Sequence, residues 1–356
     1  MNILKSYLLF ILALGLMAGA CEREGQEQEE PVVDLNPFHR MLFYNVENLF
    51  DTLDQPETRD EEFMPGSDKE WNTDKLFDKV FKIAKVVEDA GDGTWPPLIG
   101  LCEVENRDVL ELMLASTNMK AAGYEIVHKE SPDYRGIDVA LLYRTDLFDL
   151  LSYNLYSVWF PFNAGYSTRE VLYAKGNLAG TGEIHLFVNH WPSRSGGEIE
   201  SRPKRIFVAE LVRTKVDSIF GQDPKARIII TGDFNDEPDD LSIVSGLNGL
   251  HSYDKPKDGN LYAISKYLME NSSIGSYKYK GDWNSLDQFV VSGGLLDTTG
   301  SIYCRPSDLG IIERHYLFQE DNTYMGKKPF RTYLGDYFNG GYSDHLPVEL
   351  KLRYRD

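Results

Sequence analysis

A run of polar residues follows a short, isoleucine-rich segment beyond the middle of the chain. In residues 228–238, IIITGDFNDEP, Asp233 and Asn235 are two apart and Asp236 follows at once. Glycine, asparagine and aspartate dominate turns, so the stretch on its own predicts a strand that runs into a turn. Whether it is also a chemical site depends on what the rest of the chain supplies.

Two further segments offer oxygen ligands of the kind that bind hard metal ions. In FYNVENLFDT, Asn45 and Glu47 are two apart and would share one face of a strand that continued that far. In LIGLCEVEN, Glu103 follows a fully apolar approach, with Glu105 as a nearby competitor. Mg²⁺ prefers amide and carboxylate oxygens, with water completing its shell. The alternative for either segment is a turn with a solvent-facing glutamate.

Two histidines stand at the ends of candidate strands. LFVNHWPSR places Asn189 and His190 after an apolar run, although a histidine beside a tryptophan is often a packing residue. GGYSDHLPV places Asp344 next to His345. Neighbouring side chains of an extended backbone point to opposite faces, so His345 needs a carboxylate from another segment. Asp287 in NSLDQFVVS is the candidate, and such a pair holds an imidazole for proton transfer or as a cation.

Basic side chains near these motifs could bind a phosphate group. Arg135 in DYRGIDVALLYR and Arg194 in HWPSRSGG each offer a fork of donors, with a surface salt bridge as the alternative. The stretches GSYKYKGDWN and TYMGKKPFRTYLGDYFNGGYSDH interleave basic and aromatic residues close to Asp287 and His345. They could stack bases beside phosphates, or they could be paired strand aromatics with solvated lysines.

The elements that must position these residues are mostly short strands. Apolar or alternating segments rich in β-branched and aromatic residues recur between Gly, Pro, Asn and Asp, which favours strands. These segments are HRMLFYNVEN, PPLIGLCEVEN, YEIVHK, GIDVALLYR, EIHLFVNHW, ARIIITGDFN, SLDQFVVS and LPVELKLRY. Two stretches have apolar residues at helical spacing. The first lies in residues 74–93, and its apolar face ends before Gly91; the second runs from near Pro203 to Gly221. The pattern predicts an α+β domain built around sheets.

The candidate chemical residues lie within or just beyond these predicted strands. Binding residues often sit on strand-end loops that a rigid scaffold holds in place. Several such ends that met at one edge of a sandwich would form a polar, acidic pocket.

The composition is that of a large, acidic globular protein. The 356 residues are 42% hydrophobic and 12% aromatic, which allows a substantial core and excludes an intrinsically disordered chain. The formal net charge of −19 repels polyanions at long range. A nucleic-acid substrate would therefore need a local basic patch or metal ions to offset that field.

The N-terminal sequence is typical of export and tethering. An apolar run after Lys5 has the length of a signal-peptide core and ends at residues 18–21, AGAC, which is similar to a bacterial lipobox. We expect a lipoprotein-type signal peptide over residues 1–20, lipidation of Cys21 and export to a membrane-anchored position. An ordinary secretory signal is the alternative. Residues 21–37 are acidic and predict a flexible tether, and residues 38–356 are expected to form the folded domain.

Cys102 and Cys304 are the two cysteines of the expected mature domain. They could form one bridge in an exported protein, but a sequence does not establish that two cysteines are close in space. Free, buried thiols are the alternative.

Together these segments resemble the endonuclease/exonuclease/phosphatase superfamily, the metal-dependent phosphodiesterases related to pancreatic-type deoxyribonuclease. The motifs NVEN, LCEVEN, VNHW, GDFN, LDQFVVS and SDH run in order from Asn45 to His345 and cover essentially the whole expected domain. GDFN with a downstream SDH is a specific pairing. The resemblance implies a deoxyribonuclease I-like, four-layered α/β/β/α sandwich with the site at one end of its two sheets.

The resemblance also implies metal ligands. Asn45 and Glu103 would hold a divalent cation, Mg²⁺ or Mn²⁺, with Glu47 nearby and Asp344 supporting the metal. The expected phosphate-binding residues are Arg135, Asn189 and Arg194.

The implied catalytic residues are aspartates, an asparagine and histidines. Asp233, with Asn235, would orient and activate the attacking water and contact the phosphate. Asp287 would pair with His345, whose imidazolium would stabilise the charge that develops on the phosphate. His190 would be a phosphate ligand or a proton donor to the leaving oxygen.

These roles meet the general needs of phosphodiester hydrolysis, which are a positioned nucleophile, positive charge on the phosphoryl oxygens and help for the leaving group. In this interpretation Gly232 lets a substrate phosphate approach the backbone, and Asp236 is only a turn residue.

Three functions follow as hypotheses. The first is a nuclease acting on DNA or RNA. The second is a phosphodiesterase or phosphatase acting on a lipid, sugar or inositol phosphate, as in the sphingomyelinase branch. The third is a non-catalytic surface lipoprotein that uses the fold as a binding module, which the presence of every required residue type disfavours. No obligate protein partner is indicated.

Overall fold

The computed structural model describes residues 37–355, which form two large sheets with few helices. The predicted signal peptide, the predicted lipidation at Cys21 and almost all of the predicted tether lie outside the described residues. Within the described part of the chain, no helix is long and apolar enough to cross a membrane.

The helices are α1 (Thr73–Ala90), α2 (Arg107–Ser116), α3 (Glu198–Phe220), α4 (Ser265–Asn271) and α5 (Gly293–Leu296). The strands, in chain order, are β1 (Phe38–Leu49), β2 (Leu98–Val104), β3 (Tyr124–His128), β4 (Asp138–Arg144), β5 (Phe148–Tyr156), β6 (Val171–Leu178), β7 (Gly182–His190), β8 (Ile228–Asp233), β9 (Gly249–Leu250), β10 (Leu261–Tyr262), β11 (Tyr277–Tyr279), β12 (Asp282–Asn284), β13 (Asp287–Ser292), β14 (Ile302–Tyr303), β15 (Leu309–Ile311), β16 (Phe318–Glu320), β17 (Lys327–Pro329), β18 (Tyr333–Leu334), β19 (Tyr337–Phe338) and β20 (Val348–Tyr354). Short 3₁₀ turns occupy Glu61–Phe63, Asn118–Ala122, Pro306–Asp308 and His315–Leu317, and a π turn occupies Ser242–Gly246.

Each large sheet contains a parallel pair of strands near its centre. The first sheet has the order β14-β20-β1-β2-β4-β3, with β15 also paired to β20, and β1 is parallel to β2. The second has the order β5-β6-β7-β8-β13-β10-β9, and β7 is parallel to β8. Because parallel neighbours run in the same direction, the carboxyl ends of each pair lie at the same edge of their sheet.

Three apolar clusters hold the layers together. The central cluster joins the facing sheets, with Phe43 from the first sheet packed in the same core as Leu186 from the second. A second cluster lies between the first sheet and helices α1 and α2 and includes Val80. A third lies between the second sheet and α3 and includes Val212. This α/β/β/α order confirms the predicted four-layered sandwich.

Both predicted helices are present, but one begins earlier than predicted. Helix α1 ends before Gly91 as expected, whereas α3 begins at Glu198 and contains Pro203. The buried guanidinium of Arg205 donates to the Glu198 carbonyl at 3.1 Å and to the Ser201 hydroxyl at 2.8 Å. These bonds stabilise a first turn that precedes the proline, so the rule that places proline at a helix start was misleading here.

Cys102 and Cys304 are both buried, and both are free. Burial raises the pKa of both thiols. Both cysteines are therefore free, buried thiols and form no disulfide bridge. Neither thiol has the lowered pKa of a reactive cysteine.

Candidate active site

The polar strand ends of both sheets meet at one end of the sandwich. In the β1–β2 register, Asn45 pairs with the residue before Glu103. In the second sheet His190 lies opposite Asp233, which lies opposite Asp287 on its other side. The two sheets are joined here because Asn45 Nδ2 donates to Asp233 Oδ2 at 3.1 Å. Residues from five strands therefore form one cluster.

Several of these strand ends have left-handed backbone conformations. Glu47, Asn48, Glu103 and Asn235 have φ values of 51°, 58°, 62° and 51°. For a non-glycine residue such a conformation costs about 1–3 kcal/mol and is concentrated at functional sites. The β1–β2 ladder shifts its register at the same place, between Asn45 and the end of β1. The shift ends the regular alternation on which the predicted shared face of Asn45 and Glu47 depended.

Asp233 is oriented by two hydrogen bonds inside this buried cluster. Its Oδ1 accepts from the Asn235 backbone N–H at 2.9 Å, and its Oδ2 accepts from Asn45. Burial raises the pKa of Asp233 to about 7; the charge of His345 opposes the rise and that of Asp287 adds to it. A carboxylate with this pKa can accept a proton near neutral pH.

His345 and Asp287 make the contact that the sequence analysis expected. Nδ1 of His345 lies 2.6 Å from Oδ2 of Asp287, and Nε2 lies 3.9 Å from Oδ2 of Asp233. Burial opposes protonation, but the charges of Asp287 and Asp233 outweigh it and raise the pKa of His345 well above its usual range. The ring of Tyr277 packs against the imidazole, with 4.8 Å between centroids. His345 is therefore a cation beside Asp233.

His190 is neutral, unlike His345. Its Nε2 lies 3.6 Å from Oδ2 of Asp233, and its side chain is almost completely buried. Burial lowers the pKa of His190 well below its usual range, and the positive charges of Arg169 and Arg135 lower it further. Its Nδ1 has no hydrogen-bond partner among the residues that the structure describes. A neutral imidazole offers one donor and one acceptor.

Glu47 and Asp344 form an acidic pair held between two cations. Arg331 lies 3.6 Å from Glu47 and contacts the Asp344 carboxylate directly, while the Thr332 N–H donates to Glu47 at 2.6 Å. Burial raises the pKa of Glu47 to about 7, and the charge of Asp344 adds to this rise. Lys79 is also buried, and this burial lowers the pKa of its ammonium group to about 8 against the pull of nearby carboxylates.

The donor set at this end of the sandwich fits a hard divalent cation. The carboxylates of Glu47, Glu103 and Asp344 all lie close enough to act on the pKa of Lys79. Asn45 Oδ1 accepts one bond, from the Glu47 N–H at 3.0 Å, which leaves it a second lone pair. Oxygen ligands of this kind suit Mg²⁺ or Mn²⁺.

Arg135 is the predicted phosphate-binding residue that lies beside the carboxylates. Its Nη2 donates to Asn48 Oδ1 at 2.6 Å and lies 4.0 Å from Glu103 Oε2. About a third of the side chain is exposed, since its relative exposure is 34%. The guanidinium can therefore still donate to a bound anion.

The other two predicted phosphate-binding residues make several contacts within the protein. Arg194 donates to the Asn235 carbonyl at 2.8 Å and is ion-paired with nearby carboxylates. Asn189 is fully buried, donates to the Thr231 carbonyl at 3.1 Å and accepts from the Trp191 indole at 3.1 Å. These contacts place both residues in the scaffold around the site, and phosphate binding by either one stays a prediction.

Gly232 and Asp236 also differ from their sequence interpretation. A Cβ on Gly232 would lie 2.2 Å from the Asn189 carbonyl oxygen, so the close approach of β7 and β8 requires the glycine. Asp236 is buried, lies 2.7 Å from Arg205 Nε and accepts from the Ser242 hydroxyl at 2.7 Å. The glycine thus allows strand packing rather than phosphate approach, and the aspartate is a buried ion pair rather than a turn residue.

Three cations near the site have contacts that the sequence did not predict. Arg169 is buried and donates to Asp133 at 3.1 Å, and a buried arginine has no sequence signature because arginine is usually exposed. Lys79 did have a signal, because it lies three residues after Leu76 and interrupts the apolar stripe of α1. Arg331, which belongs to one of the two basic and aromatic stretches, lies between two carboxylates.

Solved structures share the fold at low sequence identity. An endonuclease/exonuclease/phosphatase family protein from Bacteroides thetaiotaomicron superposes with a TM-score of 0.56 at 16% identity, covering 90% of this chain and 99% of that chain. A mannosyl-6-phosphatase from the same organism gives 0.54 at 17%, covering 89% and 100%. D. rerio TDP2 complexed with single strand DNA product gives 0.53 at 14%, covering 89% and 99%. A sequence search of the curated proteins finds no match.

Family membership is shown by the sequence itself. The endonuclease/exonuclease/phosphatase family profile matches residues 40–354, which is most of the chain and nearly all of its described part. The chain therefore belongs to the endonuclease/exonuclease/phosphatase family, whose enzymes are divalent-metal-dependent hydrolases of phosphoric esters.

Proposed function

We propose that Asp233 activates a water molecule for attack on a phosphoryl group bound between the two sheets. The observation that carries this proposal is the charge pattern around Asp233. Its carboxylate, with a pKa of about 7, lies between the cationic His345 and the neutral His190 and is oriented by Asn45. Such a carboxylate can take the proton of the attacking water at neutral pH. As the new P–O bond forms, the P–O bond to the esterified group breaks, and the leaving oxygen takes up a proton from solvent.

The surrounding groups then act on the phosphoryl oxygens. His345, held by Asp287, donates to an oxygen as negative charge increases, and His190 donates a neutral hydrogen bond from the other side. Arg135 adds its partly open guanidinium. A divalent cation, Mg²⁺ or Mn²⁺, held by Glu103 and its neighbouring oxygen ligands, would supply further positive charge when bound.

A cavity beside Glu47 supports a small polar substrate. Its volume is about 250 Å³. It is lined by Glu47, Asn48, Glu62, Phe63, Lys69, Arg331, Thr332, Tyr333 and Gly335. Lys69 and Arg331 supply donors there, while Phe63 and Tyr333 supply flat apolar faces. We propose that this cavity takes the group esterified to the phosphate, such as a sugar, and the shared fold with a mannosyl-6-phosphatase is consistent with that choice.

The lysines that could contact nucleic acid are partly neutralised within the protein. Lys278 lies 3.1 Å from Asp321, and Lys328 lies 3.7 Å from the same carboxylate. The net charge of −19 opposes a polyanion over the whole molecule. These charges support a small phosphoric ester as the substrate in preference to a nucleic acid.

A nuclease is the second candidate, and the β11–β12 hairpin favours it. Tyr277 in this hairpin bridges to His345, and Tyr279 is 55% exposed. An exposed aromatic side chain beside a phosphoryl site can stack a base of a single strand. TDP2 with its single strand DNA product shares the fold.

The test is a panel of phosphoric esters in Mg²⁺, Mn²⁺ or EDTA. It includes mannose 6-phosphate, inositol phosphates, sphingomyelin, bis-p-nitrophenyl phosphate, RNA and single-stranded DNA. We expect metal-dependent release from a sugar or inositol phosphate, with a raised KM in Lys69→Met and no change in the exposed-lysine control Lys85→Met. Cleavage confined to oligonucleotides would favour the nuclease, and no hydrolysis in any metal would contradict the proposal.

We also propose that the chain is exported and anchored by a lipid on Cys21, which the sequence AGAC supports. In a bacterial host, labelled palmitate should enter the parent protein and be absent from Cys21→Ser. An unlabelled parent that is still exported would favour the ordinary secretory signal.

A further inference from the structure

A second group of potential metal ligands lies outside the catalytic cluster. His128 ends β3 and Asp138 begins β4, so the pairing of these strands brings together the two ends of the loop at residues 129–137. Glu130, in this loop, joins them, and one ligand atom from each of the three lies within 4.8 Å of the others. Nothing in the proposed phosphoryl chemistry uses these side chains.

Two atoms of this group are buried without a hydrogen-bond partner. Nε2 of His128 and Oδ2 of Asp138 have none among the described residues, although their side chains are only 2% and 3% exposed. Oδ1 of Asp138 accepts from the Ser131 N–H at 2.9 Å, which fixes the carboxylate and leaves Oδ2 directed at the histidine. The two atoms lie within ion-pair distance of each other but make no hydrogen bond, and a cation between them would give both a partner.

The spacing of the two atoms fits a tetrahedral ion. They lie 3.3 Å apart, in a geometry that makes no hydrogen bond. Zn²⁺ binds imidazole nitrogen and carboxylate oxygen at about 2.0–2.2 Å, so two of its tetrahedral ligands lie roughly 3.3–3.5 Å apart. Glu130 is exposed and could supply the third ligand while leaving a path for entry, with water as the fourth.

The charges and ligand types favour a transition-metal cation. Two carboxylates and one imidazole meet in this group. An imidazole ligand suits zinc and similar ions, whereas Mg²⁺ prefers oxygen ligands alone. This distinguishes the group from the oxygen-rich set around Glu103.

We propose that His128, Glu130 and Asp138 form a second metal site, for Zn²⁺ or a similar divalent transition-metal ion. The bound ion would fasten the two ends of the 129–137 loop to each other. That loop carries Arg135, which lies 4.0 Å from Glu103, and Asp133, which is paired with Arg169 at 3.1 Å. The site is thus structural, and its existence does not depend on the proposed hydrolysis.

The first experiment measures metal content by mass spectrometry after the purified chain is stripped with a chelator, loaded with Zn²⁺ and gel-filtered. Because zinc can also bind the oxygen ligands around Glu103, we expect His128→Gln to retain one equivalent of zinc less than the parent, and the control His39→Gln to match the parent. Equal zinc in His128→Gln and the parent would overturn the proposal. Loss in His345→Gln alone would also overturn it, because it would place the zinc at the catalytic cluster.

A second variant guards against misfolding of His128→Gln. Glu130 is exposed, so Glu130→Gln should fold. Its zinc affinity should nevertheless fall by about 10–100-fold or more, since loss of a residue that only hydrogen-bonds to a metal ligand already costs that much. Hydrogen exchange of residues 129–137 should slow when Zn²⁺ is added to the parent and should not change in Glu130→Gln. If Glu130→Gln bound zinc as tightly as the parent and zinc slowed its hydrogen exchange equally, the proposed site would be wrong. This outcome does not depend on the Mg²⁺-dependent activity of either protein.

Discussion

Asp233 is surrounded by groups that act on its proton affinity in opposite directions. Burial and the charge of Asp287 raise its pKa, while the imidazolium of His345 lowers it. Two hydrogen bonds, from Asn45 and from the Asn235 backbone, direct its lone pairs. The result is a base that titrates near neutrality and has a fixed orientation, and two predictions follow at this scale.

Replacement of Asp233 by asparagine should abolish most of the activity without unfolding the protein. The amide keeps the shape but cannot accept the proton of water, so we expect kcat for bis-p-nitrophenyl phosphate to fall by about 10²–10⁴. The exposed Asp239→Asn is the matched control and should retain parental activity. Parental kcat in Asp233→Asn would remove this residue from the mechanism.

The pH profile should report the same carboxylate. The base must be deprotonated, so kcat/KM should rise with pH through about 7 and then level off. In His345→Gln the cation that lowers the pKa of Asp233 is gone, so the midpoint should move to higher pH, whereas His39→Gln should leave it unchanged. An unshifted midpoint in His345→Gln would show that another group controls the profile.

At the scale of elements, the site depends on how closely neighbouring segments approach. Strands β7 and β8 come together at Gly232, and α3 is fixed to the loop after β8 by the buried pair of Arg205 and Asp236. These contacts hold the strand end that carries Asp233. Two stability predictions belong to this scale.

Gly232→Ala should destabilise the fold. The new Cβ would meet the Asn189 carbonyl oxygen at 2.2 Å, and overpacking of this kind lowers the free energy of unfolding by about 1–3 kcal/mol or more. Gly165→Ala is the control, because a Cβ there meets nothing within 4 Å. Urea denaturation measures both, and equal midpoints would contradict the packing explanation.

Arg205→Met should cost far more than the loss of an exposed pair. Arg205 and Asp236 are 0% and 1% exposed, and breaking a buried pair by removing one partner costs about 3–5 kcal/mol. Arg202→Met removes a surface pair with Glu198 and should change the free energy of unfolding by about 1 kcal/mol or less. If the two variants lost similar free energies of unfolding, the buried pair would contribute no more to stability than the exposed pair.

At the scale of the whole molecule, the negative charge controls which substrates approach. A net charge of −19 surrounds a local cluster of His345, Arg135, Lys79 and Arg331. Small anions must cross the repulsive field, and a polyanion meets it over a larger area. The identity of the substrate therefore has an electrostatic test that is independent of the active-site variants.

Salt should affect the two candidate functions in opposite ways. For a sugar phosphate, screening of the repulsion should raise kcat/KM as ionic strength increases from about 0.01 M to 0.15 M. For a nucleic acid bound through phosphate contacts, affinity should fall with added salt. Measurements at fixed free Mg²⁺ separate these cases, and a fall in kcat/KM for the sugar phosphate would contradict the charge explanation.

Much of the fold and site could be predicted because their signals are local. Short β-branched segments, the period of α1 and the motif residues are each contained in a few neighbouring positions. Contacts with partners far along the chain could not be predicted in the same way. The true start of α3 depends on Arg205, and the structural use of Asn189 and Arg194 depends on neighbouring segments.

By itself, the sequence determined which chemical groups are present, where strands end and what net charge surrounds them. It also predicted that His345 needs a distant carboxylate. Only the tertiary structure decided that Asn45 orients Asp233, 188 residues away, and that the buried Lys79 interacts with the charges of Glu47 and Asp344. The physical reason is that sheet register and layer packing determine which strand ends meet, and the pKa of each group depends on the burial and charges found there.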